Sequence, residues 1–221
     1  MRKILIALVV LALFPMTARA QTEKHVAVGV AVGLREFIDD RFSKKNPSIS
    51  VLYRLSRNPV ERKQGWVWRL SGTAGYTKTD FDTDTDFDTD LGGTPTKIGS
   101  LRTIPVVAGV ERAYRHQRIK VGLSLLAGPS FNKFSIDGAA RTAYQAEVGT
   151  PLEDIKVKNS LAVRSGVGVW YDLSRRIGLH AGAYYLYGRP RATTTAGGVS
   201  SSETWKIDRV SLSTGFAIGI F

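Results

Sequence analysis

The sequence predicts an all-β fold, an eight-stranded antiparallel up-and-down transmembrane β-barrel. Three observations carry this prediction: eight segments alternate large apolar residues with small ones, the small face is rich in glycine, and short basic turns alternate with longer loops. The chain of 221 residues contains 22 glycines and no cysteine. No disulfide therefore contributes to its stability.

The eight segments follow one another along the chain as period-two repeats. The first, "VAVGVAVGL" at residues 26–34, places valine and leucine on one face and alanine and glycine on the other. Successive side chains of a strand point to opposite faces, so this alternation predicts a strand with one strongly apolar face. The pattern recurs seven times, at residues 49–55, 66–70, 104–110, 119–125, 161–169, 177–187 and 210–220.

The second face of these segments holds mostly Gly, Ser, Ala and Thr, with occasional charges. A soluble barrel directs its large apolar residues inward, whereas a membrane barrel directs them outward to lipid. A face this small fits the crowded interior of a narrow membrane barrel, which must close because lipid cannot satisfy open strand edges. The alternative hypothesis is a secreted soluble barrel of the lipocalin type.

The connections between the segments alternate in length. The short ones, at residues 56–65, 113–117 and 172–176, are basic, and the long ones include residues 76–100 and 131–158. Bacterial up-and-down barrels have short periplasmic turns and long extracellular loops. We therefore expect the long loops outside the cell and both termini in the periplasm.

The first twenty residues predict a cleaved signal peptide, which leaves one barrel domain at residues 21–221. Arg2 and Lys3 precede an apolar run at residues 4–14, and "ARA" at 18–20 is a small-x-small cleavage site. Cleavage removes Arg2, Lys3 and Arg19 together, which takes the formal charge from +12 to +9. We expect an exported basic chain to meet anionic lipid and lipopolysaccharide phosphates rather than nucleic acid.

Three stretches resemble the outer-membrane protein β-barrel domain family, the small eight-stranded outer-membrane barrels of Gram-negative bacteria. They are "RTIPVVAGVERAY" at 102–114, "KVGLSLLAGPSF" at 120–131 and "VRSGVGVWYDLSRRIGLHAGAYYLYG" at 163–188. The closing Phe221 adds to the resemblance, which implies that the barrel assembly machinery reads this aromatic residue as an assembly signal. In this chain Phe221 lies one residue out of phase with the apolar face of Phe216 and Ile218.

Charged residues on the small face predict a charge network in a largely filled lumen. Glu111 ends the fourth segment between Arg69 of the third and Lys120 of the fifth, near the periplasmic end. An eight-stranded barrel is just wide enough for side chains to fill, and buried charges must be paired or hydrated. The predicted network comprises Arg54, Arg69, Glu111, Lys120, Arg164 and Asp172.

Three functions are possible hypotheses for such a barrel. The favoured one is a structural or surface-interaction protein with long extracellular loops, the alternative is a narrow pore for water or small anions, and the third is an enzyme that modifies lipid A. A barrel deacylase needs a histidine base facing lipid. His25 and His180 share the inward phase and His116 lies in a turn. We therefore predict no catalytic residue and no enzyme.

The repeat "TDFDTDTDFDTD" at residues 79–90 places six carboxylates on one face of the second extracellular loop. It is not an EF-hand, because Thr85 and Leu91 stand where that loop needs Gly and Glu. Runs of like charge are usually solvated, so a flexible loop is the favoured interpretation. The alternative is loosely bound calcium at Asp80, Asp82, Asp84, Asp86, Asp88 and Asp90. We expect no other cofactor, and a monomer.

Overall fold

The computed structural model describes residues 25–39, 41–42, 46–56, 64–82, 97–174 and 177–220. The predicted signal peptide and Phe221 lie outside these residues, as does the Asp repeat beyond Asp82. The described part contains eleven strands and one helix. In chain order they are β1 (His25–Phe37), β2 (Asn46–Ser56), β3 (Gln64–Asp82), β4 (Lys97–His116), β5 (Ile119–Ile136), α1 (Gly138–Val148), β6 (Leu152–Val157), β7 (Ser160–Asp172), β8 (Ile177–Gly188), β9 (Arg191–Ala196), β10 (Val199–Thr204) and β11 (Arg209–Ile220).

Eight strands form a closed antiparallel barrel in the order β1-β2-β3-β4-β5-β7-β8-β11. β11 closes the barrel on β1, with a register that runs from Val26 opposite Ile220 to Phe37 opposite Arg209. The predicted fold class is confirmed, and each of the eight predicted segments lies within one barrel strand. Closure leaves no open edge in the barrel, as a sheet surrounded by lipid requires.

The outer surface of the barrel is an apolar belt between two aromatic girdles. Every barrel strand contributes exposed apolar side chains to the belt, such as Leu34, Leu123 and Leu212. Near the short turns lie the exposed rings of Trp66, Trp68, Tyr114 and Tyr171, and nearer the long loops lie those of Tyr76, Phe131, Tyr185 and Tyr187. The ten residue-to-residue steps from Trp66 to Tyr76 span about 33 Å of strand. A strand tilt of about 40° reduces this to roughly 25 Å, the usual height of the apolar band.

Glycines on the inner face provide the space that large lumen side chains occupy. A Cβ on Gly122 would lie 2.6 Å from the Glu111 carboxylate, and one on Gly182 would lie 2.4 Å from the Tyr184 hydroxyl. A Cβ on Gly75 would lie 2.7 Å from the guanidinium of Arg35, which reaches across from β1. The glycine-rich face thus lines a packed interior, as the sequence predicts.

The strands continue beyond the belt on the side of the long loops. β3, β4 and β5 contain 19, 20 and 18 residues, whereas a membrane strand needs about 9–11. The predicted loop boundaries are therefore wrong: β3 runs to Asp82, β4 begins at Lys97 and β5 runs to Ile136. The cause is an apolar core above the belt, which supports continued strand pairing there.

The two remaining long connections contain secondary structure of their own. β9 and β10 form a hairpin whose turn residues, Gly197 and Gly198, have φ of 55° and 75°, and β6 pairs with β9. The turn requires positive φ at both positions, which glycine adopts without steric cost. α1 begins after Asp137, whose side chain accepts from Ala139 N at 3.2 Å, and ends at Gly149 with φ of 74°. The one helix of the described residues, α1, is too short and too polar to cross a membrane.

Candidate functional site

Glu111 is the centre of a buried ion-pair cluster in the part of the lumen nearer the short turns, level with its cross-strand neighbour Arg69. The two oxygens of its carboxylate accept hydrogen bonds from Arg54 Nη2 at 2.8 and 2.7 Å, and the Ser71 hydroxyl donates to Oε2 at 2.9 Å. Arg69, its cross-strand partner, places Nη1 3.8 Å from Oε1. Only 5% of Glu111 is exposed. We call Arg54, Arg69, Ser71 and Glu111 the Glu111 cluster.

Lys120 does not join this cluster, contrary to the sequence prediction. The register pairs Glu111 with Ser124 and Lys120 with Arg115, so Lys120 lies four residues further toward the short turns. There its Nζ lies 2.6 Å from Asp172 Oδ2. Arg115 Nη2 lies 4.0 Å from the same carboxylate. The two carboxylates of the predicted network thus lie at different heights along the barrel axis, each with its own nearest cations.

A group of aromatic side chains lies against the Glu111 cluster. The Arg54 guanidinium stacks 3.7 Å from the centre of the Trp170 ring, and His180 lies 4.5 Å from that ring. His180 Nε2 and the Tyr184 hydroxyl form a 2.6 Å hydrogen bond. His180 is 2% exposed and faces the lumen, which is the phase the sequence predicts. Such a ring cannot reach an acyl chain in lipid.

Arg164 is the member of the predicted network for which no carboxylate partner is found in the described residues. Its guanidinium lies 3.5 Å from the centre of the Tyr184 ring. Toward the long loops follow two further buried arginines, Arg35 and Arg209. Arg35 donates to the Thr77 hydroxyl, and Arg209 Nη1 donates to Thr103 Oγ1 at 2.8 Å. Arg35 and Arg209 are not members of the predicted network, although strand parity places both inward.

Among the described residues of the lumen lie two small cavities. The first, about 30 Å³, is lined by the Glu111 cluster residues Arg54, Ser71 and Glu111 together with Trp170 and His180. The second, about 20 Å³, lies nearer the long loops. A cavity needs roughly 10–15 Å³ to hold a water, so the first has room for about two waters and the second for one. Neither cavity is large enough to hold an organic ligand.

An apolar core closes the barrel at the long-loop end, and we call it the apolar cap. Trp205, 1% exposed, stacks on Phe81 with 4.9 Å between ring centroids and meets Phe42 and Phe134 edge-on at 5.9 and 5.4 Å. Phe81 and Phe134 come from the inner faces of β3 and β5, whereas Trp205 and Phe42 come from loops. Among the described residues, the buried members of the cap are Phe37, Phe42, Phe81, Leu101, Phe134, Leu152, Ile155, Ala192, Trp205 and Ile207.

Asp208 links the cap to the end of β8 through hydrogen bonds and an ion pair. Its carboxylate accepts hydrogen bonds from the Tyr185 hydroxyl at 3.0 Å and the Gly188 backbone N–H at 3.1 Å, and it forms an ion pair with Arg189. Burial raises the pKa of Asp208, but the hydrogen bonds from Arg189, Gly188 and Tyr185 outweigh it and hold the pKa below its ordinary value of 3.8. Asp208 is therefore ionised at neutral pH.

Two aspartates of the Asp repeat lie within a strand that the structure describes. Asp80 and Asp82 end β3, and Asp80 lies on the outward phase just beyond Tyr76. Asp84, Asp86, Asp88 and Asp90 lie outside the described residues. Within the part of the chain that the structure describes, no group of three Asp, Glu or His side chains could hold a metal ion. Calcium binding by the repeat stays a prediction.

Two unpredicted elements, the β9-β10 hairpin and α1, have recognisable signals in the sequence. "TTTAGGVSSSET" at residues 193–204 reads as a hairpin, because two runs of hydroxyl residues flank Gly-Gly. Asp137 and Gly149 are a helix N-cap and C-terminal glycine around residues 138–148. The apolar cap has no local signal, since its aromatic residues come from distant parts of the chain.

Comparison with solved structures identifies the same architecture in outer-membrane proteins. The chain is similar to OprG of Pseudomonas aeruginosa, with a TM-score of 0.58, 9% identity, and coverage of 89% of this chain and 95% of that chain. It is also similar to a major outer membrane protein of Thermus thermophilus, with a TM-score of 0.52, 13% identity, and coverage of 90% of this chain and 100% of that chain.

No protein-family model matches the sequence, and no curated protein matches it. At identities this low, the similarity shows the fold alone. The chain has the fold of the small eight-stranded outer-membrane β-barrels, so the resemblance seen in the sequence is confirmed at the level of the fold.

Proposed function

We propose that this protein is a non-enzymatic outer-membrane barrel that presents an ordered extracellular surface for interaction. The observation that carries the proposal is the apolar cap, which joins four barrel strands, the sheet strands β6 and β9, and two loops in one core. Flexible loops do not bury an indole ring such as that of Trp205. The surface above the cap is therefore a folded platform.

Membrane placement of the barrel is supported by its outer surface. The apolar belt has the height of a bilayer core, and aromatic girdles at both borders suit the two membrane interfaces. The long-loop end is the extracellular side in this proposal, because outer-membrane barrels carry their longer loops there. Both chain ends then lie in the periplasm, where the assembly machinery would read Phe221.

Lipopolysaccharide is the partner that the rim of the belt favours. Lys78, Arg102 and Lys133 are cross-strand neighbours on the outer faces of β3, β4 and β5, two residues beyond the row of Tyr76 and Phe131. Like charges directly opposite one another are destabilising unless anions neutralise them. Lipid phosphates at this height would do so, and calcium shared with the nearby Asp repeat would add to the contact.

The pore hypothesis has one observation in its favour, the excess of arginine in the lumen, which would suit small anions. Against it, the Glu111 cluster and Trp170 fill the lumen on the short-turn side, and the apolar cap fills it at the long-loop end. An enzyme is disfavoured because His180 is enclosed in the lumen and His116 lies at the exposed end of β4. We therefore propose a monomeric barrel without a conducting path.

Conductance of the refolded protein in planar lipid bilayers tests this proposal. We expect no steady openings from the wild-type protein, because two levels of the lumen are blocked. A variant with Phe81, Trp170 and Trp205 all changed to Gly removes the bulkiest side chains at both levels and should conduct, which shows that the assay detects an open path. Steady openings from the wild-type protein would refute the proposal and favour a pore.

A further inference from the structure

The upper lumen contains three arginines around one cavity, which we call the arginine triad. Arg35, Arg164 and Arg209 come from β1, β7 and β11, and all three line the cavity of about 20 Å³. Among the residues that the structure describes, no Asp or Glu lines this cavity. Three positive charges therefore meet in an enclosed space with no carboxylate among the described lining residues.

The contacts that the triad makes within the described chain are to neutral groups. Arg35 and Arg209 each donate to a threonine hydroxyl, and Arg164 stacks on a tyrosine ring. Arg209 is 1% exposed, and its Nη2 has no hydrogen-bond partner in the described part of the protein. Arg209 is also close enough to Arg35 and Arg164 to be repelled by both.

Such an arrangement is costly without an anion. Removing an ion from water is strongly unfavourable even after the protein relaxes, and a buried charge is normally paired. Arginine stays protonated in proteins, so the three side chains remain charged and the unfavourable burial of their charges persists. The Glu111 cluster avoids it with a carboxylate, and the triad lacks an equivalent group in the described chain.

We propose that the arginine triad binds one small monovalent anion, a halide, inside the barrel. The cavity has room for a single particle of about the size of water, which admits chloride or bromide and excludes phosphate and carboxylate-bearing molecules. Hydroxyl groups of Ser50, Thr73 and Ser211 also line the wall. The anion neutralises part of the triad and is held between the apolar cap above and the Glu111 cluster below.

The test measures urea unfolding of the full-length refolded protein in zwitterionic detergent at constant ionic strength. Sodium chloride and sodium bromide are compared with sodium isethionate, whose anion is too large for the cavity. A ligand that binds only the folded state stabilises it by mass action, so each tenfold increase in halide above the dissociation constant should raise the folding equilibrium constant about tenfold. Equal stability in halide and isethionate would overturn the proposal.

The Arg209→Met and Arg69→Met variants localise the effect. Arg209→Met removes the arginine with the unpartnered nitrogen and should abolish the halide dependence. Arg69→Met removes another buried lumen arginine outside the cavity and should retain the dependence, whatever its overall stability. Full halide dependence in Arg209→Met would place the anion elsewhere and refute the site.

A second measurement needs no variant and remains decisive if Arg209→Met does not refold. Crystals of the wild-type protein grown in bromide should show an anomalous difference peak within hydrogen-bond distance of Arg209 Nη2. A fully occupied water without anomalous signal at that position would overturn the proposal.

Discussion

Some basic side chains of the lumen form ion pairs with a carboxylate, and others do not. Arg54 and Arg69 share Glu111, and Lys120 and Arg115 share Asp172. Sharing concentrates the electrostatic contribution on two acidic residues, so each carboxylate matters more than any one of its partners. The effects of removing either acid should therefore be large.

Glu111→Gln should lower the free energy of unfolding by about 3–5 kcal/mol, because it leaves two buried guanidinium groups without their counter-charge. Urea unfolding of the refolded protein, followed by tryptophan fluorescence, measures the change. Glu36→Gln is the matched control, since Glu36 lies on the exposed outer face of β1 and should change the midpoint little. An unchanged midpoint in Glu111→Gln would mean that lumen water solvates the arginines.

Asp208 should make the cap sensitive to acid. Its pKa is lower in the folded than in the unfolded protein, so its contribution to stability is fully present above the unfolded pKa of about 3.9 and is lost as pH falls through the folded pKa. After correction for intrinsic rates, hydrogen exchange in residues 188–207 should become faster below about pH 4. In Asp208→Asn the exchange should be fast already at pH 7, and an unchanged pH profile in that variant would contradict the assignment.

Whole elements at the long-loop end depend on local turn chemistry as well as on the cap. The β9-β10 hairpin pairs along its whole length, from Val199 opposite Ala196 to Thr204 opposite Arg191, and hydroxyl pairs such as Thr193 and Ser202 link its strands. β10 is exposed throughout, so little packing compensates for a defect in the turn. The hairpin should therefore loosen independently of the barrel.

Gly198→Val should destabilise the hairpin by about 1–2 kcal/mol, because a β-branched residue does not adopt positive φ without strain. A Cβ at this position would meet nothing within 4 Å, so the backbone conformation alone causes the loss. Limited proteolysis at residues 196–200 measures it, with the gel mobility of the barrel as the test of an intact fold. Gly198→Asn is the control at the same position, since Asn tolerates left-handed backbone. Equal cleavage of both variants would contradict this explanation.

The whole molecule combines a membrane barrel with a core that resembles that of a soluble protein. Side chains such as Leu123 and Leu212 are more than half exposed on the belt, whereas the cap buries its aromatic rings as a water-soluble domain does. Soluble monomers rarely expose apolar patches larger than a few hundred Å². The belt therefore requires lipid or detergent, and the cap does not.

Refolded protein should migrate on a denaturing gel at different positions before and after boiling, because a closed barrel resists detergent until it is heated. It should partition into the membrane or detergent fraction under all native conditions. Recovery of the protein as a soluble monomer without detergent would show that the apolar belt is covered by something else and that the membrane placement is wrong.

Local patterns in the sequence were enough to predict the barrel. The number of barrel strands, their phase and the inward direction of Glu111, Arg54 and His180 follow from a period of two, because successive side chains of a strand point to opposite faces wherever the strand lies. The small glycine face also predicted a filled lumen, since narrow barrels leave space for little else.

Tertiary contacts were needed to show which lumen charges meet and how the barrel ends. Lys120 pairs with Asp172 rather than Glu111 because the register between β4 and β5 sets their heights, and parity does not encode register. The apolar cap joins Phe42, Phe81 and Trp205, which lie far apart in the chain. No local sequence pattern therefore predicts it. The arginine triad arises in the same way, because strands that are distant in sequence bring three separate inward positions to one level of the lumen.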